Sequence, residues 1–224
     1  MITFLFNKTK RIFNSILNFF FPQQCMICGR IIYSDKNEYH CSKCKKLLNL
    51  NPHTARKGIF LKECWAISHH RGIIKELIYL FKYQNKPYLS TFFGEILADY
   101  LKEKIFLNFD LIIPIPLHKR RQEERGYNQS ELLANVVSKK LNISVDKKSL
   151  KRIKNTISQF ELNLKQRKDN IKNAFEIKNK GIINGKTILL IEDISTTGTT
   201  LEECSRILKK AKAKEVFSLV ISHG

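Results

Sequence analysis

The stretch Ile188–Thr200 reads ILLIEDISTTGTT: an apolar run, two adjacent carboxylates, then small hydroxyl residues around a glycine. Such a run is a buried strand, and Glu192 and Asp193 fall at its carboxyl end, where open α/β sheets place their ligands. Ser195, Thr196, Thr197, Gly198, Thr199 and Thr200 lead straight into a helical pattern. Their backbone N–H groups and hydroxyls can cup an anion at the helix N-terminus. Gly198 removes a side chain where the backbone must come close. Neither GxxxxGK[ST] nor GxGxxG is present, which excludes the Walker and dinucleotide loops. Carboxylates repel a phosphate, so the pair must face something neutral or positive beside it: sugar hydroxyls, which donate hydrogen bonds, or Mg²⁺. A phosphorylated ribose offers all of these together. The plain alternative is a strand–turn–helix with polar dressing that binds nothing.

A second chemistry lies near the other end. Cys25-Met-Ile-Cys28 is followed by Cys41-Ser-Lys-Cys44. Two CxxC pairs at this separation fit a four-thiolate zinc site, and Gly29 stands where the first knuckle must turn back. So short a segment has no adequate core of its own, so the metal supplies its fold. Four protein ligands leave no open position, which makes the zinc structural rather than catalytic. Redox pairs or free thiols are the competing reading. His40 beside Cys41 is a bystander to a complete thiolate set. Cys64 and Cys204 have no partner in the spacing, and Cys204 lies on the helix after the hydroxyl loop.

The third cluster is basic. Pro114-Ile-Pro116-Leu-His118 runs into Lys119, Arg120 and Arg121, then Arg125-Gly126-Tyr127-Asn128-Gln129. Arginine suits bidentate phosphate contacts. A solvated charged face is the other reading of KRRQEER. With these residues in view, IEDISTTGTT resembles the signature of type I phosphoribosyltransferases, which bind 5-phosphoribosyl-1-pyrophosphate (PRPP). The resemblance implies that Glu192 and Asp193 hold the ribose 2′ and 3′ hydroxyls, and that Ser195 to Thr200 hold the 5′-phosphate. It implies a pyrophosphate loop at the strand end IPIPLHKRR, with Lys119, Arg120, Arg121 and Arg125 as partners, and Mg²⁺ accompanying PRPP. It also implies a mobile catalytic loop within KRIKNTISQFELNLKQRKDN, with Arg152, Gln159 and Arg167 as working residues. The IPIPLH and RGYNQ motifs, the FKY at Phe81–Tyr83, the series from Leu150 to Phe175 and the cysteine head preceded by FFFPQQC resemble the ComF family. That similarity runs in order from about Phe19 to the last residue, and links the chain to uptake of transforming DNA or to nucleotide metabolism.

Helices and strands must position these groups. Gly72–Tyr83, Phe92–Lys104, Ser130–Leu141 and Leu201–Ala211 have helical spacing, and Leu162–Ala174 leans helical. Phe109–Pro116, Lys186–Glu192, after the Asn184-Gly185 turn, and Val216–Ser222 read as buried strands. Strands alternating with helices predict an α/β fold, a parallel sheet flanked by helices of the type I phosphoribosyltransferase kind. The expected organisation is a basic amphipathic helix over 1–21, a zinc ribbon over 22–50 and a phosphoribosyltransferase-like domain over 65–224, with 51–63 ill-defined. The first helix, with Ile12, Phe13, Ile16, Leu17 and Phe20 as its stripe, packs on its own domain or meets a membrane surface or a partner.

The 224 residues carry 40 Lys+Arg against 20 Asp+Glu, a formal charge of +20. That field attracts phosphates, nucleic acid or anionic lipid, and AT-rich coding accounts for part of it equally well. No run is long and apolar enough to span a bilayer, and no cleavage site follows the N-terminal stripe, so the expected compartment is the cytoplasm. Two functions follow. One is Mg-dependent phosphoribosyl transfer to an acceptor the sequence does not identify. The other is a non-catalytic module whose pocket anchors a phosphorylated ribose while the basic surface and zinc ribbon bind single-stranded DNA or a competence helicase. Glu192 and Asp193 separate the two from plain DNA binding, since phosphates give acids no role.

Overall fold

A computed structural model describes residues 24–25, 27–32, 40–104, 107–156 and 169–224. The expected helix over 1–21, and Gln159 and Arg167, lie outside the described residues. The chain forms two compact units, Met1–Asn49 and Leu50–Gly224.

In the first unit, the Cys25 knuckle closes by Gly29 N–H to the Cys25 carbonyl (2.8 Å) and Cys25 N–H to the Arg30 carbonyl (2.7 Å). Gly29 sits at φ 71°, which glycine adopts without a Cβ penalty. Cys41 precedes helix α1 (Ser42–Leu47), so Cys44 projects from its first turn.

The second unit is built on a five-stranded sheet of β1 (His53–Arg56), β2 (Glu63–His69), β3 (Leu111–Pro114), β6 (Thr187–Ser195) and β7 (Glu215–His223), in the order β1-β2-β7-β6-β3. β2, β7, β6 and β3 run parallel, and β1 is antiparallel on β2. Central strands buried on both faces read as continuous apolar runs, as β6 does: Ile188, Leu189, Leu190 and Ile191 have no exposed surface.

One face of the sheet carries α2 (Gly72–Tyr83), α3 (Leu89–Lys102) and α5 (Gln129–Leu141). Here Trp65 stacks on Phe217 at 5.4 Å and meets Tyr100 of α3 at 6.4 Å. Gly94 lets α3 approach α5, because a Cβ there would stand 2.5 Å from Val136 Cβ. The other face is covered by α7 (Thr199–Lys210), through Leu201, Cys204 and Leu208, and by a small hairpin of β4 (Leu150–Arg152) and β5 (Phe175–Ile177). The turn α6 (Lys180–Ile183) buries Ile183 beneath it.

Helix α2 has the ends its periodicity predicts. α3 begins three residues earlier than expected, straight after Pro87 and Tyr88. Two elements differ in kind. The stretch over 51–63, which has no clear period, holds β1 and a bulge between Thr54 and Arg56. The run KRRQEER is helix α4 (Lys119–Arg125) rather than a loop; it buries none of its residues, so no apolar stripe marks it in the sequence.

Candidate functional site

The carboxyl ends of β3 and β6 open into a cavity of about 130 Å³. Its wall includes Lys82, Tyr83, Arg121, Arg125, Asn128, Gln129, Arg152, Glu192, Asp193, Thr196 and Thr200. Strand alternation sends the two acids to opposite faces. Asp193 meets α2: its Oδ1 lies 2.9 Å from Lys82 Nζ and accepts the Ile194 N–H at 2.7 Å. Glu192 faces the β4 side. Burial and the neighbouring Asp193 push its carboxyl up to about 8, against the pull of Lys82 and Arg152. The pair is therefore one ion-paired carboxylate and one carboxyl that holds its proton at neutral pH.

Lys82 is held in place by the segment RGYNQ. Gly126 ends α4 at φ 78°. The Tyr127 hydroxyl donates to the Phe81 carbonyl at 2.6 Å, and Gln129 Nε2 donates to the same oxygen at 3.2 Å. Asn128 Nδ2 donates to the Ile115 carbonyl at 3.1 Å, while its Oδ1 caps α5 by accepting the Ser130 N–H. One short segment thus knits the ends of α2 and β3 to the start of α5.

The basic residues divide by helical spacing. Arg121 and Arg125 share the pocket side of α4. Lys119 and Arg120 lie on its exposed side, opposite Glu123 (3.8 Å) and Glu124 (3.1 Å). Arg121 Nη2 donates to the Thr156 carbonyl at 2.8 Å. Arg152, on β4, donates to Thr156 Oγ1 and lays its guanidinium 5.4 Å over the Phe175 ring. Its buried Nε has no hydrogen-bond partner among the described residues. Burial, with Arg121 alongside, pushes the Arg152 pKa down. Such a donor awaits an acceptor.

The hydroxyl loop joins β6 to α7. Thr196 and Thr200 reach the pocket. Thr197 and Thr199 hydroxyls bond each other at 2.6 Å, and Ser195 is buried at the strand end, in register with His223. Gly198 is the N-cap of α7 at φ 67°, with no side chain capping the helix. A helix N-terminus of this kind, with its dipole directed at the loop, favours an anion.

Sequence reasoning gave Lys82 no part in binding the ligand, although FKY stood among the family motifs. It also missed Arg56, which donates to the Thr197 carbonyl from 141 positions away.

Four basic side chains against two acids suit a polyanion. The acids do not form a protein cage for a divalent ion, since Lys82 occupies Asp193. The set fits a magnesium carried in on the ligand's own phosphates, which is how that ion is held beside few protein ligands.

In the first unit, the Sγ atoms of Cys25, Cys28, Cys41 and Cys44 lie within 4.8 Å of one another. Cys28 and Cys41 are 3.8 Å apart. Zinc–sulfur bonds of about 2.3 Å in a tetrahedron put sulfurs about 3.8 Å apart, so the four thiols fit a metal such as zinc. Burial raises Cys25, but the N–H groups of Cys41, Cys28 and Ile27 outweigh it and bring the thiol down to about 6. Burial and the neighbouring thiols push Cys44 up. Cys64 and Cys204 are buried in the core under α7, and burial pushes both thiols up, Cys64 to about 11.

A parallel sheet flanked by helices, with an acid pair and an uncapped hydroxyl loop at its carboxyl edge, defines a type I phosphoribosyltransferase fold. Residues 127–223 match the phosphoribosyl transferase domain family. The chain is 31% identical to competence protein F of Haemophilus influenzae, across 88% of this chain and 95% of that protein. It is 35% identical to the DNA utilization protein YhgH of Escherichia coli across 49% of this chain and 48% of that one. With competence protein ComFC of Bacillus subtilis it shares 28% across 74% and 66%. The chain belongs to the ComF family. No helix among its described residues is long and apolar enough to cross a membrane.

Proposed function

We propose that the protein binds PRPP with Mg²⁺ at the carboxyl ends of β3 and β6 and transfers its phosphoribosyl group to an acceptor. The observation that carries this is the acid pair itself. Two carboxyls set among Lys82, Arg121, Arg125 and Arg152, beside an uncapped helix N-terminus, suit a ligand that is anionic at both ends and hydroxylated between. Glu192 and Asp193 take the ribose hydroxyls, which donate to them. The loop from Ser195 to Thr200 takes the 5′-phosphate. Arg121, Arg125 and Arg152, whose Nε has no hydrogen-bond partner among the described residues, take the pyrophosphate. Lys119 and Arg120 stand further out and add to the field that draws the ligand in. Magnesium, when bound with the pyrophosphate, neutralises charge that builds on the departing oxygen.

In the reaction the C1–oxygen bond to pyrophosphate breaks and its electron pair leaves with the pyrophosphate. The arginines receive that charge from fixed positions, which lowers the barrier without reorganisation. Positive charge develops on the ribose carbon, and an acceptor nitrogen captures it. The family resemblance gives Gln159 and Arg167, in the chain after β4, a share in this reaction. Zinc on Cys25, Cys28, Cys41 and Cys44 stabilises the first unit and takes no part in the chemistry. The relatives named for competence and DNA utilization favour a place in the handling of incoming DNA.

The test is calorimetric titration of Mg-PRPP into the wild type and into a Glu192→Ala, Asp193→Ala double variant. Saturable binding by the wild type and its loss in the variant support the reading. Equal binding by both proteins, or binding by neither, sinks it.

A second reading has its own observation. Tyr79, Tyr83 and Tyr88 are about half exposed; Tyr83 lines the pocket with Arg125 over it at 5.1 Å, Tyr79 lies 5.3 Å from Tyr83, and Lys86 stands over Tyr88 at 6.0 Å. Aromatic faces among cations suit the bases of single-stranded DNA. On this reading the pocket anchors PRPP without turnover, and a DNA strand or a competence helicase is the partner. PRPP binding without pyrophosphate release, together with salt-sensitive DNA binding lost in Tyr83→Ala, would favour it.

A further inference from the structure

The loop that faces the pocket has a rear side, and that side is built by a strand outside the parallel core. β1 is added antiparallel to the edge of the sheet, and its bulge between Thr54 and Arg56 redirects Arg56. The Arg56 guanidinium donates through Nη1 to the Thr197 carbonyl. It fills the space beside Gly198, so that any Cβ on Gly198 would collide with it. The chain after Arg56 is pinned as well. Glu202 of α7 accepts the N–H groups of Ile59 and Phe60, each at 2.9 Å. At the end of β7, the Gly224 N–H donates to the Ser195 carbonyl at 3.1 Å, and the His53 ring lies against those of His69 and His223.

A trans peptide points its C=O and the following N–H in opposite directions. A carbonyl tied at the rear of the loop therefore turns the next N–H to the front. Arg56 on the Thr197 carbonyl sets the Gly198 N–H. An N–H turned to the front at a helix N-terminus is a ready donor to an anion. Free peptides of a threonine- and glycine-containing turn rotate, so an unclamped loop would spend ligand affinity on ordering itself.

We propose that Arg56 is a positioning residue for a phosphomonoester. From behind the loop it fixes the Gly198 N–H, which receives the 5′-phosphate, without touching the phosphate. This rests on the reading of the pocket as a PRPP site, and adds where the phosphate end gets its preorganisation.

The experiment compares three ligands on one protein: Mg-PRPP, ribose 5-phosphate, which keeps the phosphomonoester alone, and magnesium pyrophosphate, which lacks it. Arg56→Met removes the donor; losing a charged hydrogen bond of this kind costs about tenfold or more in affinity. The expected result is a loss of about that size for Mg-PRPP and ribose 5-phosphate, with magnesium pyrophosphate held as by the wild type. Arg56→Gln, which keeps an N–H donor, recovers part of the loss. In the wild type, the amide resonance of Gly198 shifts on addition of ribose 5-phosphate, a readout that needs no variant to fold. Unchanged ribose 5-phosphate binding in Arg56→Met, an equal loss for all three ligands, or an unmoved Gly198 amide in a wild type that binds would each overturn the positioning role. A wild type that binds none of the three overturns the PRPP reading and the clamp with it.

Discussion

Replacing Lys82 with methionine tests the ion pair between Lys82 and Asp193. The two groups are 2.9 Å apart, and their side chains retain 14% and 10% of their surface. At an effective dielectric of about 20, that separation corresponds to roughly 6 kcal/mol of attraction, before the cost of taking both ions out of water. The net value of the pair is far smaller, but breaking it leaves a carboxylate uncompensated in a low-dielectric wall, which typically costs about 3–5 kcal/mol. Methionine keeps the unbranched stem, so packing loss adds little. For a unit of this size each kcal/mol moves the midpoint by about 2–4 °C, giving a fall of roughly 6–20 °C. Trp65, the one tryptophan in the chain and 1% exposed, reports unfolding of the second unit by fluorescence. Adding Asp193→Asn to Lys82→Met should return most of the stability, because no charge is then left buried. A single variant within about 1 kcal/mol of the wild type, or a double variant no better than the single, would refute the pairing argument.

Three further outcomes follow from particular residues. Glu192 titrates near 8 in the folded chain against an ordinary 4.5, so the native state holds a proton that the unfolded chain has released, and stability falls as pH rises between those values. His70 and His223, both depressed below 6.5 chiefly by burial, act only on the acid side of that value. The unfolding free energy of the second unit, from urea titrations, should therefore drop between pH 6.5 and 8 by about 2 kcal/mol, and Glu192→Gln should flatten the slope. A flat wild-type profile there would contradict the raised Glu192 carboxyl. Elemental analysis of purified protein should give about one zinc per chain, reduced in Cys44→Ser, and zinc-free folded protein would rule out the four-thiolate centre. Gly94→Val places a branched side chain against Val136 and should cost about 1–3 kcal/mol by calorimetry, whereas a neutral effect would mean α3 and α5 are not in close contact.

What the sequence determined by itself was local. An apolar run buried on both faces identifies β6 without any partner strand, and the acids and hydroxyl loop follow it in the chain, so their order along the site is written in the order of residues. The spacing of Cys25, Cys28, Cys41 and Cys44 marks a cluster that could hold a metal, because ligand geometry limits the gap within each pair. Helix α2 could be read to its ends because it buries Ile74, Leu77, Ile78 and Phe81 along one stripe. Elements with no stripe could not be read: α4 buries nothing, and β4 and β5 are three residues each.

Tertiary structure decided the environment of those groups. Nothing near Asp193 in sequence says that Lys82 neutralises it, or that Glu192, its neighbour, faces the other side of the sheet and keeps its proton. Nothing around Arg56 says that it braces a loop 141 positions away. These are electrostatic and hydrogen-bonding facts, set by distance and burial in space. Apolar periodicity records which side of an element meets the core. It does not record which charged side chain from another element will be there.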